Sequence, residues 1–173
     1  MEGRVGTLKV LVVRGKRLAI RDFKSSDPYV IVKLGNQTQK TKVINSCLNP
    51  VWNEELVFSV SEPVGVLQLE VFDRDRFKSD DKMGRAQVSL QDLVSGARLS
   101  RALRLSTGET KLRKVAPDGE NRLMAESFVT FVAGEIVQEV RLKLSDVESG
   151  ELELKLRWSE NPTSQTTGGA AGA

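Results

Sequence analysis

The sequence predicts an all-β fold, an antiparallel β-sandwich. Short segments of alternating or β-branched apolar residues recur at roughly 8–12-residue spacing, and Gly, Pro, Asn or Asp residues separate them. Residues 151–158 alternate apolar and polar side chains without a break. The chain has 173 residues, of which 39% are hydrophobic, enough for one domain with a packed core.

Nine segments are predicted strands, in chain order residues 7–14, 29–34, 38–43, 54–60, 66–72, 85–90, 127–132, 135–144 and 151–158. Residues 90–94 indicate one helical turn, which we expect Gly96 to end. Residues 106–121 are polar and rich in turn formers, which predicts a loop. The small, polar residues 159–173 predict a disordered tail.

Composition excludes several classes of enzyme. The chain has no histidine and one cysteine, Cys47, so it lacks both a Ser-His or Cys-His nucleophile pair and a zinc ligand set. The single cysteine cannot form an internal disulfide, which favours a reducing intracellular compartment. No 18-residue apolar run or signal peptide is found, and the mild net charge of +3 does not indicate a nucleic acid partner.

Aspartates cluster in two of the predicted loops: Asp22, Asp27, Asp73, Asp75 and Asp81. The loops of a sandwich gather at its two ends, so two loops distant in sequence can meet. Five carboxylates at one rim would repel each other unless a cation lay among them, and calcium takes about six to eight oxygen ligands. The alternative is that each Asp only forms a turn, which is our interpretation of Asp80. For the five together we predict calcium binding.

Three motifs occur in the order in which the C2 domain has them: Ser-Asp-Pro-Tyr-Val at 26–30, Asn-Pro-Val-Trp-Asn-Glu at 49–54 and Phe-Asp-Arg-Asp at 72–75. The chain thus resembles a C2 domain, a calcium-dependent lipid-binding sandwich. The resemblance implies eight antiparallel strands and loops that hold two or three calcium ions. It also implies that the five aspartates are side-chain ligands, and that the backbone carbonyls of Arg21 and Arg74 are main-chain ligands.

Residues 18–22 and the stretch 127–158 resemble the small plant C2-domain abscisic-acid-related proteins more closely. In that family one C2 domain, here residues 1–158, carries a late family-specific insertion, here about 106–138. The resemblance implies a non-enzymatic, calcium-dependent phospholipid-binding adaptor that brings abscisic acid receptors to the plasma membrane. It places the protein in the cytoplasm and at the plasma membrane, with the nucleus as a further location. Members are also described as activating Obg-like GTPases/ATPases in trans.

Basic and aromatic residues mark candidate lipid contacts. Lys33, Lys40 and Lys42 could share a face, and in C2 domains a basic patch on the equivalent strands binds phosphoinositide head groups. The alternative is a solvated sheet edge that lysines protect from pairing. Phe23 and Phe77 lie in the aspartate-bearing loops beside basic residues, where they could enter the headgroup layer or fold back onto the sandwich.

Charge then suggests how calcium would act. Two calcium ions would raise the net charge from +3 to about +7, and each positive charge near an anionic surface contributes about 1 kcal/mol. We therefore predict a calcium-switched membrane adaptor. The rival hypotheses are a regulator that supplies an arginine to a nucleotide hydrolase, and a calcium-independent interaction domain.

Overall fold

The computed structural model describes residues 4–21 and 24–160. These form ten strands and one helix, in chain order β1 (Arg4–Lys16), β2 (Pro28–Leu34), β3 (Gln37–Lys40), β4 (Val51–Ser61), β5 (Val66–Asp73), β6 (Asp81–Ser89), α1 (Gln91–Ala102), β7 (Glu109–Val115), β8 (Ser127–Val132), β9 (Glu135–Lys143) and β10 (Glu151–Glu160). All strand pairs are antiparallel. The predicted all-β antiparallel sandwich is confirmed. The described residues have ten strands, whereas the sequence pattern predicted nine and the resemblance implied eight.

The hydrophobic core lies between two sheets. The larger has the order β4-β1-β10-β9-β8-β7 and the smaller β3-β2-β5-β6. Period-two alternation turns one face of each strand inward, so that Leu8, Val10 and Val12 of β1 are fully buried, as are Val30 and Val32 of β2. Burying such a side chain contributes about 1.5–3 kcal/mol, so this alternation is what selects the register.

The helix corrects one sequence-based expectation. Gly96 lies in the middle of α1, whereas we predicted that it ends a single turn. A Cβ at Gly96 would lie 2.6 Å from Val129 Cγ1, closer than real atoms approach. The glycine therefore lets the helix lie directly on β8, and the helix continues to Ala102.

The segment at about 106–138, predicted to be a family-specific insertion, is also more regular than expected. Residues 106–121 contain strand β7, although we expected a loop, and β7 pairs with β8 to extend the larger sheet. Leu112 and Val115 of β7 pack against the core, and Val129 and Phe131 of β8 are buried in it. Strands β7 and β8 of this segment thus share the hydrophobic core of the domain.

The predicted tail begins two residues too early, because Ser159 and Glu160 are the last residues of β10. The rest of the predicted disordered segment, 161–173, lies outside the described residues. Within the described part of the chain, no helix is long and apolar enough to cross a membrane.

Candidate functional site

Strand register brings the two aspartate-bearing loops to one end of the sandwich. Asp73, the last residue of β5, stands opposite Pro28 of β2 on one side and opposite Asp81 of β6 on the other. Asp27 immediately precedes Pro28, and the Arg74 N–H donates to the Asp27 carbonyl at 3.0 Å. Aspartates at or next to the ends of three strands thus lie at the same end of the sandwich, where the sequence pattern predicted that these loops meet.

Backbone N–H groups hold these carboxylates in place. Asp73 is fully buried, and its Oδ1 accepts from the Asp27 N–H at 2.7 Å. Asp27 Oδ1 accepts from the Ser46 N–H at 2.7 Å. Asp75 Oδ1 accepts from the N–H groups of Phe77 and Lys78 at 2.8 and 3.2 Å. The loops are therefore ordered by the same side chains that are predicted to bind calcium.

Asp80, interpreted from sequence as a turn former, fastens the second loop. Its Oδ1 accepts from the Asp75 N–H at 2.8 Å, and its Oδ2 accepts from the Tyr29 hydroxyl. These hydrogen bonds, from Tyr29 first, lower the pKa of Asp80. Burial, with the hydrogen bond to Asp80, raises the pKa of Tyr29 to about 12. The Tyr29 ring also stacks on Phe72 at 5.8 Å, so the loop is tied to the sheet.

Arg21 ties the first loop to the β9–β10 connection, a contact that sequence reasoning missed. Its Nη1 and Nη2 donate to the two carboxylate oxygens of Glu148 at 2.8 and 3.0 Å, and its Nε donates to the Lys82 carbonyl at 3.1 Å. The hydrogen bond from Arg21 lowers the pKa of Glu148 to about 2. The Arg21 N–H also donates to Ser26 Oγ at 2.9 Å, which fixes the backbone whose carbonyl is a predicted ligand.

The chemical type of the predicted ligand atoms suits calcium. Every predicted ligand is a carboxylate or carbonyl oxygen, which hard divalent cations prefer. Asp22 and Phe23 lie outside the described residues. Within 4–21 and 24–160, no group of three or more His, Cys, Asp and Glu side chains is arranged to hold a metal ion. Lys78 Nζ lies 3.6 Å from Asp81 Oδ2, so a cation already neighbours one of the carboxylates.

The same end of the molecule presents apolar side chains among basic ones. Phe77 is 97% exposed, so the alternative that it folds back onto the sandwich is wrong. Ile20 is also exposed, and the sequence argument overlooked it although it directly precedes Arg21. Four basic side chains around these loops are exposed: Lys24, Arg74, Arg76 and Lys78.

The three lysines of the predicted headgroup patch are exposed on or next to the smaller sheet. Lys33 stands opposite Thr38, and Lys40 opposite Ile31, so the period of two places Lys33 and Lys40 on the same outward face. Lys42 lies just beyond β3, and its N–H donates to Glu54 Oε2 at 2.9 Å. Lys33 Nζ is 4.0 Å from a Glu70 carboxylate oxygen on β5, a surface ion pair of small energetic value.

Comparisons with known proteins agree with this architecture, that of a C2 domain. The family model of the C2 domain matches residues 6–105. A calcium-bound structure of two C2 domains of extended-synaptotagmin 2 superposes with a TM-score of 0.63 and 25% identity over 91% of this chain, which spans 47% of that chain.

Relatives of similar length define the family further. "Protein C2-DOMAIN ABA-RELATED 11" of Arabidopsis thaliana is 62% identical over 158 residues, which cover 91% of this chain and 95% of that protein. "GTPase activating protein 1" of Oryza sativa subsp. indica is 44% identical over 161 residues, covering 93% of this chain and 96% of that protein. The chain belongs to the C2-domain ABA-related family.

Proposed function

We propose that this protein is a calcium-dependent phospholipid-binding adaptor that brings abscisic acid receptors to the plasma membrane. The observation that carries the proposal is the shared end of the sandwich, where buried or backbone-anchored aspartates lie close to exposed Phe77 and its basic neighbours. The relative named C2-domain ABA-related and the calcium-bound structural neighbour support it. In this proposal the protein moves between cytoplasm and membrane and catalyses no reaction itself.

The calcium ligands would be the carboxylates of Asp22, Asp27, Asp73, Asp75 and Asp81 with the carbonyls of Arg21 and Arg74. Two or three bound calcium ions would cancel the negative charge of this end and offer coordination positions to lipid phosphate oxygens. Lys78 would leave Asp81 as the ions enter, and its ammonium would then be available to the anionic surface. The basic side chains already at the rim would complete the attraction, about 1 kcal/mol each.

Vesicle co-sedimentation tests the proposal directly. Vesicles of phosphatidylcholine and phosphatidylserine are pelleted with the protein, with calcium in one arm and a chelator in the other. A soluble abscisic acid receptor is added to both arms. We expect protein and receptor to pellet together only with calcium. Equal binding in the two arms would indicate a calcium-independent domain, and pelleting of the protein without the receptor would remove the adaptor role.

We propose that Lys33, Lys40 and Lys42 contact phosphoinositide head groups. Edge protection does not account for Lys33, because β2 lies inside the smaller sheet between β3 and β5. Replacing all three with Ala should weaken binding to phosphoinositide vesicles by up to about a hundredfold, since each charge contributes about 1 kcal/mol. Titration calorimetry without lipid should show unchanged calcium affinity.

The matched control replaces Lys9, Lys143 and Lys155, which lie on the larger sheet, with Ala. This control removes the same net charge and should lower phosphoinositide binding far less. If both triple variants lose binding equally, net charge explains the effect and a headgroup patch is not needed.

Phe77 should act only at the membrane. Because its side chain is 97% exposed, Phe77→Ala should change the free energy of unfolding by no more than about 0.5 kcal/mol. Inserting a phenyl ring into the bilayer contributes about 1.5–3 kcal/mol, so vesicle affinity with calcium should fall about tenfold to a hundredfold. In a Phe77→Trp variant, the emission of the new indole should shift to the blue on vesicle binding. An unshifted emission, with full affinity of the Ala variant, would place Phe77 outside the bilayer.

A second candidate function is activation of a GTPase or ATPase of the Obg-like type. The observation that favours it is the rice relative named GTPase activating protein 1, which aligns over nearly its whole length. An exposed arginine supplied in trans could stabilise charge in a phosphoryl-transfer transition state. Turnover of a purified Obg-like hydrolase, with and without this protein, tests the idea, and an unchanged rate would reject it.

A further inference from the structure

Residues 98–104, at the end of α1, form an exposed patch that the calcium and lipid sites do not use. We call it the α1 patch. Its sequence, Arg-Leu-Ser-Arg-Ala-Leu-Arg, has three arginines, two leucines and no acidic residue. All three arginines are exposed, and so are Leu99 at 40% and Leu103 at 54%. The helix buries the opposite side, with Leu93, Val94, Gly96, Ala97 and Ser100.

The α1 patch lies at the end of the sandwich opposite the aspartates. The Arg101 guanidinium pairs with Glu160, the last residue of β10. The first residue of β10, Glu151, stands opposite Lys16, where β1 leads into the first aspartate-bearing loop. A strand of this length spans about 30 Å at about 3.4 Å per residue. The α1 patch and Phe77 therefore lie at opposite ends of the sandwich, along the direction of the strands.

The ordinary role of arginines at a helix end explains only part of the α1 patch. Cations near a helix C-terminus interact favourably with its dipole, which accounts for Arg101. Arg104, however, has φ +57°, in the left-handed region that favours glycine. The N–H of Leu105 closes the helix end on the Ser100 carbonyl at 3.0 Å, a cap in which glycine is the usual residue. The chain thus has a cation where glycine would suit the fold better.

We propose that the α1 patch is a second, calcium-independent contact for an anionic membrane, and that it lets one molecule bridge two membranes. Exposed leucines flanked by guanidinium groups match the headgroup layer, where apolar and cationic groups are accommodated together. Phe77 with Arg74 and Arg76 has the same character at the other end. Bridging of two membranes rests on the proposed function, in which the aspartate-bearing end binds a membrane with calcium. Contact of the α1 patch with lipid does not depend on that function.

A membrane suits the α1 patch better than a protein partner does. A stable protein interface buries about 800 Å² on each partner, whereas the α1 patch offers two leucines on the convex end of a helix. An anionic lipid surface is extended and adapts to such a convex shape. The three arginines between residues 98 and 104 have the sign that this surface attracts, and only Arg101 of the three is paired with a carboxylate, that of Glu160, in the described residues.

The test compares vesicle binding with vesicle bridging in a variant that combines Arg98→Gln with Arg104→Gly. With calcium and phosphatidylserine vesicles, we expect co-sedimentation within about twofold of wild type, but aggregation measured by light scattering at least about tenfold slower. With chelator at low salt, the weak residual binding of wild type should be lost. The melting temperature should stay equal or rise, because glycine suits the left-handed position. A Lys9→Gln and Lys143→Gln variant, with the same charge change on the larger sheet, should aggregate vesicles like wild type.

Several results would overturn the proposal. It is wrong if the Arg98 and Arg104 variant aggregates vesicles as fast as wild type, or if wild type binds vesicles without aggregating them. It is also wrong if ultracentrifugation without lipid shows a dimer that Leu99→Ser with Leu103→Ser dissociates, because the α1 patch would then be a protein interface. If wild type fails to bind with calcium, the proposed function fails. The chelator arm then still decides whether the α1 patch contacts lipid.

Discussion

Converting Asp73 and Asp75 to Asn should abolish calcium-dependent vesicle binding while the fold persists. The two side chains would supply two of the five ligand charges, and calcium affinity depends steeply on ligand charge, so we expect calcium affinity to fall by roughly a hundredfold or more. An asparagine carbonyl can still accept the N–H of Asp27 at position 73 and those of Phe77 and Lys78 at position 75. The loops should therefore keep their hydrogen bonds. Calorimetry measures the loss of calcium affinity, and co-sedimentation measures the loss of calcium-dependent vesicle binding.

The control for this variant is Glu62→Gln with Glu139→Gln, which changes the net charge equally at exposed positions away from the loops. It should bind calcium and vesicles like wild type. Circular dichroism should show that both variants remain folded without calcium. Full calcium affinity in the Asp73 and Asp75 variant would mean that the ions bind elsewhere, and the assignment of these ligands would be rejected.

Replacing Gly96 with Val should destabilise the whole domain. The new Cβ would lie 2.6 Å from Val129 Cγ1, and a Cβ there also nears Ile136 Cγ2 at 3.5 Å. Since β8 and β9 are held in the larger sheet, the helix would have to lift from them. Overpacking of a buried site costs about 1–3 kcal/mol, and we expect the upper end of that range because valine adds two further methyl groups. The melting temperature should fall by about 6–12 °C, at about 2–4 °C per kcal/mol.

Gly65→Val is the matched control, because a Cβ at Gly65 meets only Leu34 Cδ1 at 3.9 Å, an ordinary contact. Its melting temperature should change by no more than a few degrees. If Gly96→Val melts at the wild-type temperature, the close approach of α1 to β8 is not a constraint on the fold. Calcium affinity of the folded Gly96→Val protein should be unchanged, since the loops lie at the other end.

Strands with a clear alternation of apolar and polar residues could be predicted from the sequence. The alternation of residues 151–158 predicted β10. The aspartates at the ends of predicted strands indicated that two loops meet, because the loops of a sandwich gather at its ends. The location of β7 was missed, since its apolar positions, Leu112 and Val115, are few and lie among charged residues. A period-two pattern needs more apolar positions than that to stand out.

Features that depend on tertiary contact could not be predicted. A glycine in a helical segment can either end the helix or allow another element to pack closely against it. Only the position of Val129 in the fold shows that Gly96 has the second role. Glu148 lies 127 positions from Arg21, and nothing in either local sequence pairs them. Asp80 was interpreted as a turn former, whereas its carboxylate accepts from the Asp75 N–H and the Tyr29 hydroxyl, and the contact with Tyr29 requires the fold.

The two contacts that hold the loops, Arg21 to Glu148 and Tyr29 to Asp80, keep their protonation states over a wide range of pH. A carboxylate with a lowered pKa stabilises the fold above its unfolded value of about 4.5 and loses that contribution only as pH falls through about 2. A tyrosine with a raised pKa acts in the opposite sense, stabilising below about 10 and losing that contribution as pH rises through about 12. The chain has no histidine to titrate between these limits. Both contacts would therefore persist through a moderate acidification of the cell, and a calcium pulse arriving at that moment would meet loops whose hydrogen bonds are unchanged.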